Sequence, residues 1–195
     1  MPELWLVRHS ETEWAVAGRH TGRTDVPLTE HGREQALALG TLLAARSFAL
    51  VLSSPLGRAA DTCRLAGYGA VAQETSDLLE WDYGDYEGLT TAQIRERVPG
   101  WTIWSRGVSN GETVDDLARR AQRVVDRAVA AGGDAVLFAH GHVLRVLAAG
   151  WLGLSPGAGQ LLALDPASVS VLGYERETRV IGSWNHVCDA GPGAG

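Results

Sequence analysis

Leu4-Trp5-Leu6-Val7-Arg8-His9-Ser10 sets four consecutive apolar residues directly against an arginine and a histidine. An apolar run this short reads as a strand buried on both faces, as in a parallel sheet covered by helices. The pattern recurs twice. Phe48 to Leu52 is a second run, closed by Ser53-Ser54-Pro55 with Arg58 just beyond, and Ala135 to Ala139 is a third, closed by His140. Helical spacing fills the intervals. Thr29 caps a predicted helix running to about Ala45, with Ala36, Leu39 and Leu43 on one face, and a second is predicted over roughly Leu56 to Leu65. Leu78 to Gly88 reads as irregular, and Thr90 or Thr91 begins a short helix that Pro99 ends. Thr113 and Asp116 resemble a capping box ahead of Val114, Leu117, Ala121, Val124, Val125 and Ala128, which Gly132-Gly133 terminates. His142 to Trp151 reads as a further amphipathic helix. Ser168 to Tyr174 and Thr178 to Trp184 alternate about a charged turn, predicting a hairpin or two edge strands. The expected fold is α/β, a three-layer α/β/α sandwich with a largely parallel central sheet. Ligands of such sheets gather beyond the carboxyl ends of the strands. Arg8-His9, Ser53-Ser54 with Arg58, and His140 are therefore expected along one edge.

The 195 residues suit one domain, taken as residues 1–189, with a flexible Gly/Pro/Ala tail over 190–195. There are 23 acids against 17 bases, a formal charge of −6, so neither nucleic acid nor an anionic membrane is an expected partner. An anion would have to be held by a few locally placed cations. The two cysteines, Cys63 and Cys188, have no metal-type or paired spacing, which fits a reducing cytoplasm. The apolar run at Leu4–Val7 is too short for a signal segment or a membrane span. A homodimer is left open, since the terminal hairpin could pair between copies.

Two arginines, two histidines and a carboxylate together suggest phosphate chemistry. The guanidinium fork matches phosphate oxygens bidentately, so Arg8 and Arg58 can hold one phosphoryl group. Nearby positive charge keeps a histidine neutral and nucleophilic. A neutral ring nitrogen can attack phosphorus in line, and a second histidine can donate to the transferring oxygens. Enough converging cationic donors make a metal or other cofactor unnecessary. His140 and His142, two apart, could otherwise form a metal pair, but no third ligand is spaced for it. His20, His31 and His186 are expected in loops or on the surface. From composition and spacing alone the reading stops at a phosphate-binding α/β enzyme.

Leu6-Val7-Arg8-His9-Ser10-Glu11-Thr12-Glu13-Trp14 resembles the signature of the histidine phosphatase, or phosphoglycerate-mutase-like, superfamily. Five further blocks resemble it in the same order: Arg19-His20-Thr21-Gly22 with Leu28 to Gly32, Ser53-Ser54-Pro55 with Arg58, Leu79 to Gly88, Asn110 to Thr113, and Phe138 to His142. The resemblance implies that His9 is the phosphorylated nucleophile, that Arg8, Arg58 and His140 complete the phosphate pocket, and that Glu80 is the proton donor. It implies substrate contacts at Thr21, Gly22, Ser54, Tyr83 and Arg120, and a backbone N–H offered by Gly141. Two positions depart from the family. Ser10 stands where glycine is usual, which would strain the backbone if φ there had to be positive. Ala15 stands where mutases commonly carry asparagine.

The blocks look closest to sugar bisphosphatases and broad-specificity acid phosphatases. This implies a metal-independent phosphatase acting on small phosphorylated metabolites, with sugar phosphates as candidates. The alternative is a phosphoglycerate mutase, and a non-catalytic phosphate-binding module is a third reading. Mutases carry a longer insertion after the Glu-Gly block, with a lysine and paired arginines for the substrate carboxylate. This chain contains no lysine, and between Gly88 and Gly111 it has only Arg95, Arg97 and Arg106, singly. A shorter lid admits water to a phosphohistidine. Trp101 and Trp104 are expected either to pack against a sugar skeleton or to sit in the core.

Overall fold

Two-residue periodicity inside the apolar strands gives the molecule its layers. The computed structural model describes residues 1–187. The expected tail over 190–195, and Cys188, lie outside them. In chain order the elements are β1 (Leu4–Arg8), α1 (Glu13–Val16), α2 (Glu30–Leu43), β2 (Leu50–Ser53), α3 (Gly57–Leu65) and β3 (Gln73–Glu74). Two 3-10 turns, Ser76–Leu78 and Gly84–Tyr86, lead to α4 (Thr91–Arg97), α5 (Ile103–Arg106), α6 (Val114–Ala130), β4 (Ala135–Ala139) and α7 (Gly141–Trp151). A third 3-10 turn, Pro156–Leu161, precedes β5 (Ser168–Glu175) and β6 (Thr178–Val187).

The sheet order is β3-β2-β4-β1-β5-β6. β4 pairs in parallel with both β1 and β2, β3 joins β2 in parallel, and the β5–β6 hairpin lies antiparallel beside β1. The fold is thus mixed α/β, with a six-stranded sheet that is mostly parallel and flanked by helices. Successive side chains of a strand face opposite ways. Leu4, Leu6, Leu52 and Leu137 enter one core, shared with Leu117 and Val124 of α6 and Leu144 and Leu147 of α7. Trp5, Val7, Val51, Val136 and Phe138 enter the other, shared with Leu39 and Leu43 of α2 and Cys63 of α3. Burial pushes the Cys63 thiol up to about 12, so it behaves as a small apolar group. Among the described residues no helix is long and apolar enough to cross a membrane.

The caps follow the predicted chemistry. Thr29 accepts from the Gly32 N–H, and Thr90 with Gln93 and Thr113 with Asp116 form reciprocal capping boxes. The registers Arg8 with Ala139 and Ser53 with Phe138 bring the carboxyl ends of β1, β2 and β4 level with one another. The loops that leave those ends build the site.

Candidate active site

His9 follows β1 and is 5% exposed. Its backbone N–H donates to the Ala139 carbonyl at 2.8 Å, tying it to the end of β4. Its ring Nδ1 lies 2.8 Å from the Ser10 carbonyl oxygen. A carbonyl can only accept, so Nδ1 carries the proton and Nε2 keeps its lone pair. Burial, then the charges of Arg8 and Arg58, hold this imidazole well below the usual histidine range. The ring is therefore neutral at pH 7. Ser10 is not among the residues with positive φ, so the strain that serine might have brought does not arise. Its N–H donates to Thr62 Oγ1 at 3.1 Å.

Arg58, on the first turn of α3, is fully buried. Its Nη1 donates to the Thr24 carbonyl at 2.8 Å, and its Nη2 to those of Thr21 and Gly22 at 3.1 and 2.8 Å. Its Nε donates to His140 Nδ1 at 3.2 Å. That bond leaves the His140 proton on Nε2, 2.8 Å from Ser54 Oγ. The rings of His9 and His140 are 5.2 Å apart, and burial and Arg58 keep His140 neutral as well. Arg8 donates from Nη1 to the Leu164 carbonyl at 2.5 Å. Its Nε is buried and makes no hydrogen bond among the described residues. Buried guanidinium N–H groups are rarely left so, and an oxyanion beside His9 would satisfy this one.

Glu80 is 4% exposed and closes the opposite side. Its carboxylate accepts from the N–H groups of Trp81 at 2.9 Å, His142 at 2.9 Å and Val143 at 3.0 Å. Two of those donors belong to the first turn of α7, where the N–H groups have no partner within the helix. The resulting cleft has a volume of about 110 Å³. This is small beside the roughly 300–1,000 Å³ of drug-sized sites. It suits a phosphoryl group and the few atoms next to it. Three wider clefts, of about 550, 540 and 550 Å³, lie beside α3, between α6 and α7, and between α2 and α3, but each brings only one arginine.

Of the residues expected at the site, Arg8, His9, Thr21, Glu80, Tyr83 and Gly141 line the cleft. Arg58, His140 and Ser54 form a fully buried layer behind it. Gly22 is engaged elsewhere: its N–H donates to the Glu87 carboxylate at 2.9 and 3.0 Å, and a Cβ there would fall 2.6 Å from both that carboxylate and the Trp81 carbonyl. Arg120 does not point at the cleft. Its Nε and Nη2 pair with Glu112 at 2.6 and 2.8 Å, and it also donates to the carbonyls of Asp77, Leu79 and Glu80. The helical face that suggested substrate instead meets Glu112, and the arginine secures the strand of chain carrying Glu80.

His20 lies in a loop, as expected, but it is partly buried and not a plain surface residue. It lines the cleft, its ring 4.9 Å from Tyr83 and 5.3 Å from Trp101. Burial takes it down to about 4. Arg19, His142 and Arg145 line the cleft too. Trp101 is a core residue at 1% exposure, and Trp104 stands behind His142 with ring centroids 5.3 Å apart. His31 and His186 are exposed, as expected. Among the described residues no group of three or more His, Cys, Asp or Glu is placed to share a metal ion.

A nucleophilic imidazole among arginines, a second histidine and a buried carboxylate at a strand edge match a known design. The family model of the histidine phosphatase superfamily, branch 1, matches residues 4–187. The chain belongs to this superfamily. Similar members include an acid phosphatase of Mycobacterium tuberculosis, 41% identical over 190 residues, covering 94% of this chain and 93% of the relative. A sedoheptulose 1,7-bisphosphatase of Saccharomyces cerevisiae is 34% identical over 185 residues, covering 78% and 68%. The solved structure of the open reading frame Rv3214 from Mycobacterium tuberculosis superposes with a TM-score of 0.91 at 39% identity, over 95% of this chain and 98% of that one.

Proposed function

We propose that the protein is a phosphoric monoester hydrolase that acts on small phosphorylated metabolites, sugar phosphates among them, through a phosphohistidine on His9. The carrying observation is the pairing of the buried Arg8 Nε, which has no hydrogen-bond partner among the described residues, with a neutral His9 whose Nδ1 is tied to the Ser10 carbonyl. Together they leave a donor for a phosphoryl oxygen and a lone pair for phosphorus. In the first step Nε2–P forms and the ester P–O bond breaks, with Glu80 protonating the departing oxygen. Arg8, Arg58 and the Nε2–H of His140 meet the charge on the equatorial oxygens. In the second step water attacks phosphorus, Nε2–P breaks, and Glu80 accepts the water proton. These arginines supply the positive charge the transfer needs, so the reading calls for no metal or other cofactor. The acid phosphatase and bisphosphatase relatives support hydrolysis over retransfer, as does a lid that lacks lysine. Cysteine usage supports a cytoplasmic site of action, and β6, at the free edge of the sheet, is where a homodimer would pair.

Rapid-quench labelling with a phosphomonoester tests this, run in excess chelator beside an assay of 3-phosphoglycerate isomerisation. The expected result is phosphate release, with an acid-labile, base-stable phosphoenzyme that His9→Ala abolishes. Near-normal turnover by His9→Ala, loss of activity in chelator, or efficient isomerisation would overturn it.

A further inference from the structure

His142 is the second histidine of His140-Gly141-His142, and the phosphoryl transfer above makes no use of its side chain. Its ring lies on the cleft surface. Nδ1 is 2.7 Å from Tyr83 Oη, which has no other partner among the described residues. Tyr83 is 2% exposed. A buried phenol satisfies its hydrogen by donating it, so Nδ1 is the acceptor. Burial, and next Arg145, keep the imidazole well below the usual histidine range. Its single proton is therefore on Nε2, which has no protein partner among the described residues.

The ring is also held rigidly. Trp81 meets it edge-on with centroids 5.8 Å apart, and Trp104 backs it. Its backbone N–H sits on Glu80 Oε2 at 2.9 Å, fixing the ring's distance from the acid. Across the cleft, His20 offers an aromatic face of the kind that carbon skeletons stack on. The guanidinium of Arg145, by contrast, is directed to the carbonyls of Gly159 and Gln160 at 2.9 and 3.2 Å and lies over Trp104. The group beside the leaving oxygen is thus a neutral, single-proton donor, which suits one uncharged oxygen better than a second anion.

We propose that His142, aimed by Tyr83, determines specificity by donating its Nε2–H to a hydroxyl or ether oxygen on the carbon skeleton of a sugar-type phosphomonoester. The inference rests on the phosphatase reading of the same cleft. It makes Tyr83 a positioning residue, acting through the imidazole.

The test compares phenyl phosphate, which has no such oxygen, with whichever sugar phosphate of a small panel the wild-type protein hydrolyses fastest. His142→Phe keeps the ring shape and removes the donor. It is expected to lower kcat/KM for the sugar phosphate ~10-fold more than for phenyl phosphate, mainly through KM. His142→Gln, whose amide N–H reaches the region of Nε2, should recover most of that discrimination. His142→Asn, whose shorter amide reaches only the region of Nδ1, should not. Tyr83→Phe should give part of the same selective loss. Equal losses on both substrates, no loss, or rescue by Asn rather than Gln would overturn the inference while phosphatase activity stood. A wild-type protein that hydrolysed neither substrate would overturn the phosphatase reading and this inference with it.

Discussion

Arg58 Nε and His140 Nδ1 share a hydrogen bond of 3.2 Å, and that bond decides which nitrogen of His140 carries the proton. Guanidinium N–H groups only donate, so Nδ1 must accept, and Nε2–H is turned toward Ser54 Oγ. The same guanidinium holds three carbonyls of the 21–24 loop. One side chain thus sets a tautomer, a loop and a local charge.

Arg58→Ala should therefore lower kcat by ~10²-fold or more, the scale of losing a transition-state donor. Arg58→Lys should recover little of it, because an ammonium cannot reproduce four directed donations from a planar fork. Single-turnover measurement of phosphoenzyme formation is the check. A lysine variant with near-native kcat would mean that charge alone matters.

If Glu80 protonates the departing oxygen, the benefit scales with how badly the leaving group needs a proton. Glu80→Gln should slow hydrolysis of alkyl and sugar phosphates ~10²-fold or more, and slow p-nitrophenyl phosphate much less in the phosphorylation step. The readout is the slope of log kcat/KM against leaving-group pKa, which should steepen in the variant. An unchanged slope would move the acid to another carboxylate, with Asp82 or Glu87 next.

Stability should fall toward acid pH. His9, His20, His140 and His142 are all held below the ordinary 6.5 of an exposed histidine, His20 at about 4. Between those values and about 6.5 the unfolded chain binds the extra protons. The stabilisation from keeping these rings neutral is then complete above about pH 6.5 and is lost as pH falls, each ring approaching a slope of ~1.4 kcal/mol per pH unit. Thermal melting between pH 7.5 and 5 should record a steep drop in Tm, and His20→Phe should shallow it. A flat Tm across that range would contradict the buried, neutral assignment.

Arg120 and Glu112 pair with side chains only 8% and 13% exposed. Removing one partner of a buried pair leaves the other uncompensated, so Arg120→Met should destabilise the fold by about 3–5 kcal/mol. Activity at a temperature where the variant is folded should show reduced kcat, from a loosened Glu80 segment, with KM little changed. Chemical denaturation beside steady-state kinetics separates the two. A large KM increase with unchanged stability would return Arg120 to the substrate, where the family resemblance had set it.

Legibility followed the length and regularity of each signal. β4 is found at Ala135–Ala139, the bounds its sequence suggests, because an apolar run there is framed by Gly132-Gly133 and His140. α1 and α5, four residues each, and the two-residue β3 are too short to carry a period, and went unread. The convergence of Arg8, His9, Arg58 and His140 was legible since each lies at or just after a strand end. His20 was not: a single histidine in a polar loop has no pairing signal, and only the packing of Tyr83 and Trp101 about it brings it to the cleft. Arg120 shows the opposite limit. Helical spacing gave its face, but which of the nearby acceptors captures a guanidinium is decided by the loop that Glu112 and Glu80 form in three dimensions.

The first turn of α7 carries Gly141 and His142, follows His140 directly, and clamps Glu80 through two N–H groups. Acid and phosphate donor are consequently bolted to the same helix end, and a shift of that helix carries both along. The segment from Leu89 to Asn110 contributes none of the residues lining the cleft; through Trp101 and Trp104 it stands behind His20 and His142. Divergence there can reshape what enters the cleft while the bond-breaking apparatus stays in register. Substrate range can in this way be tuned through the backing of His20 and His142, by a segment that itself lines no part of the cleft.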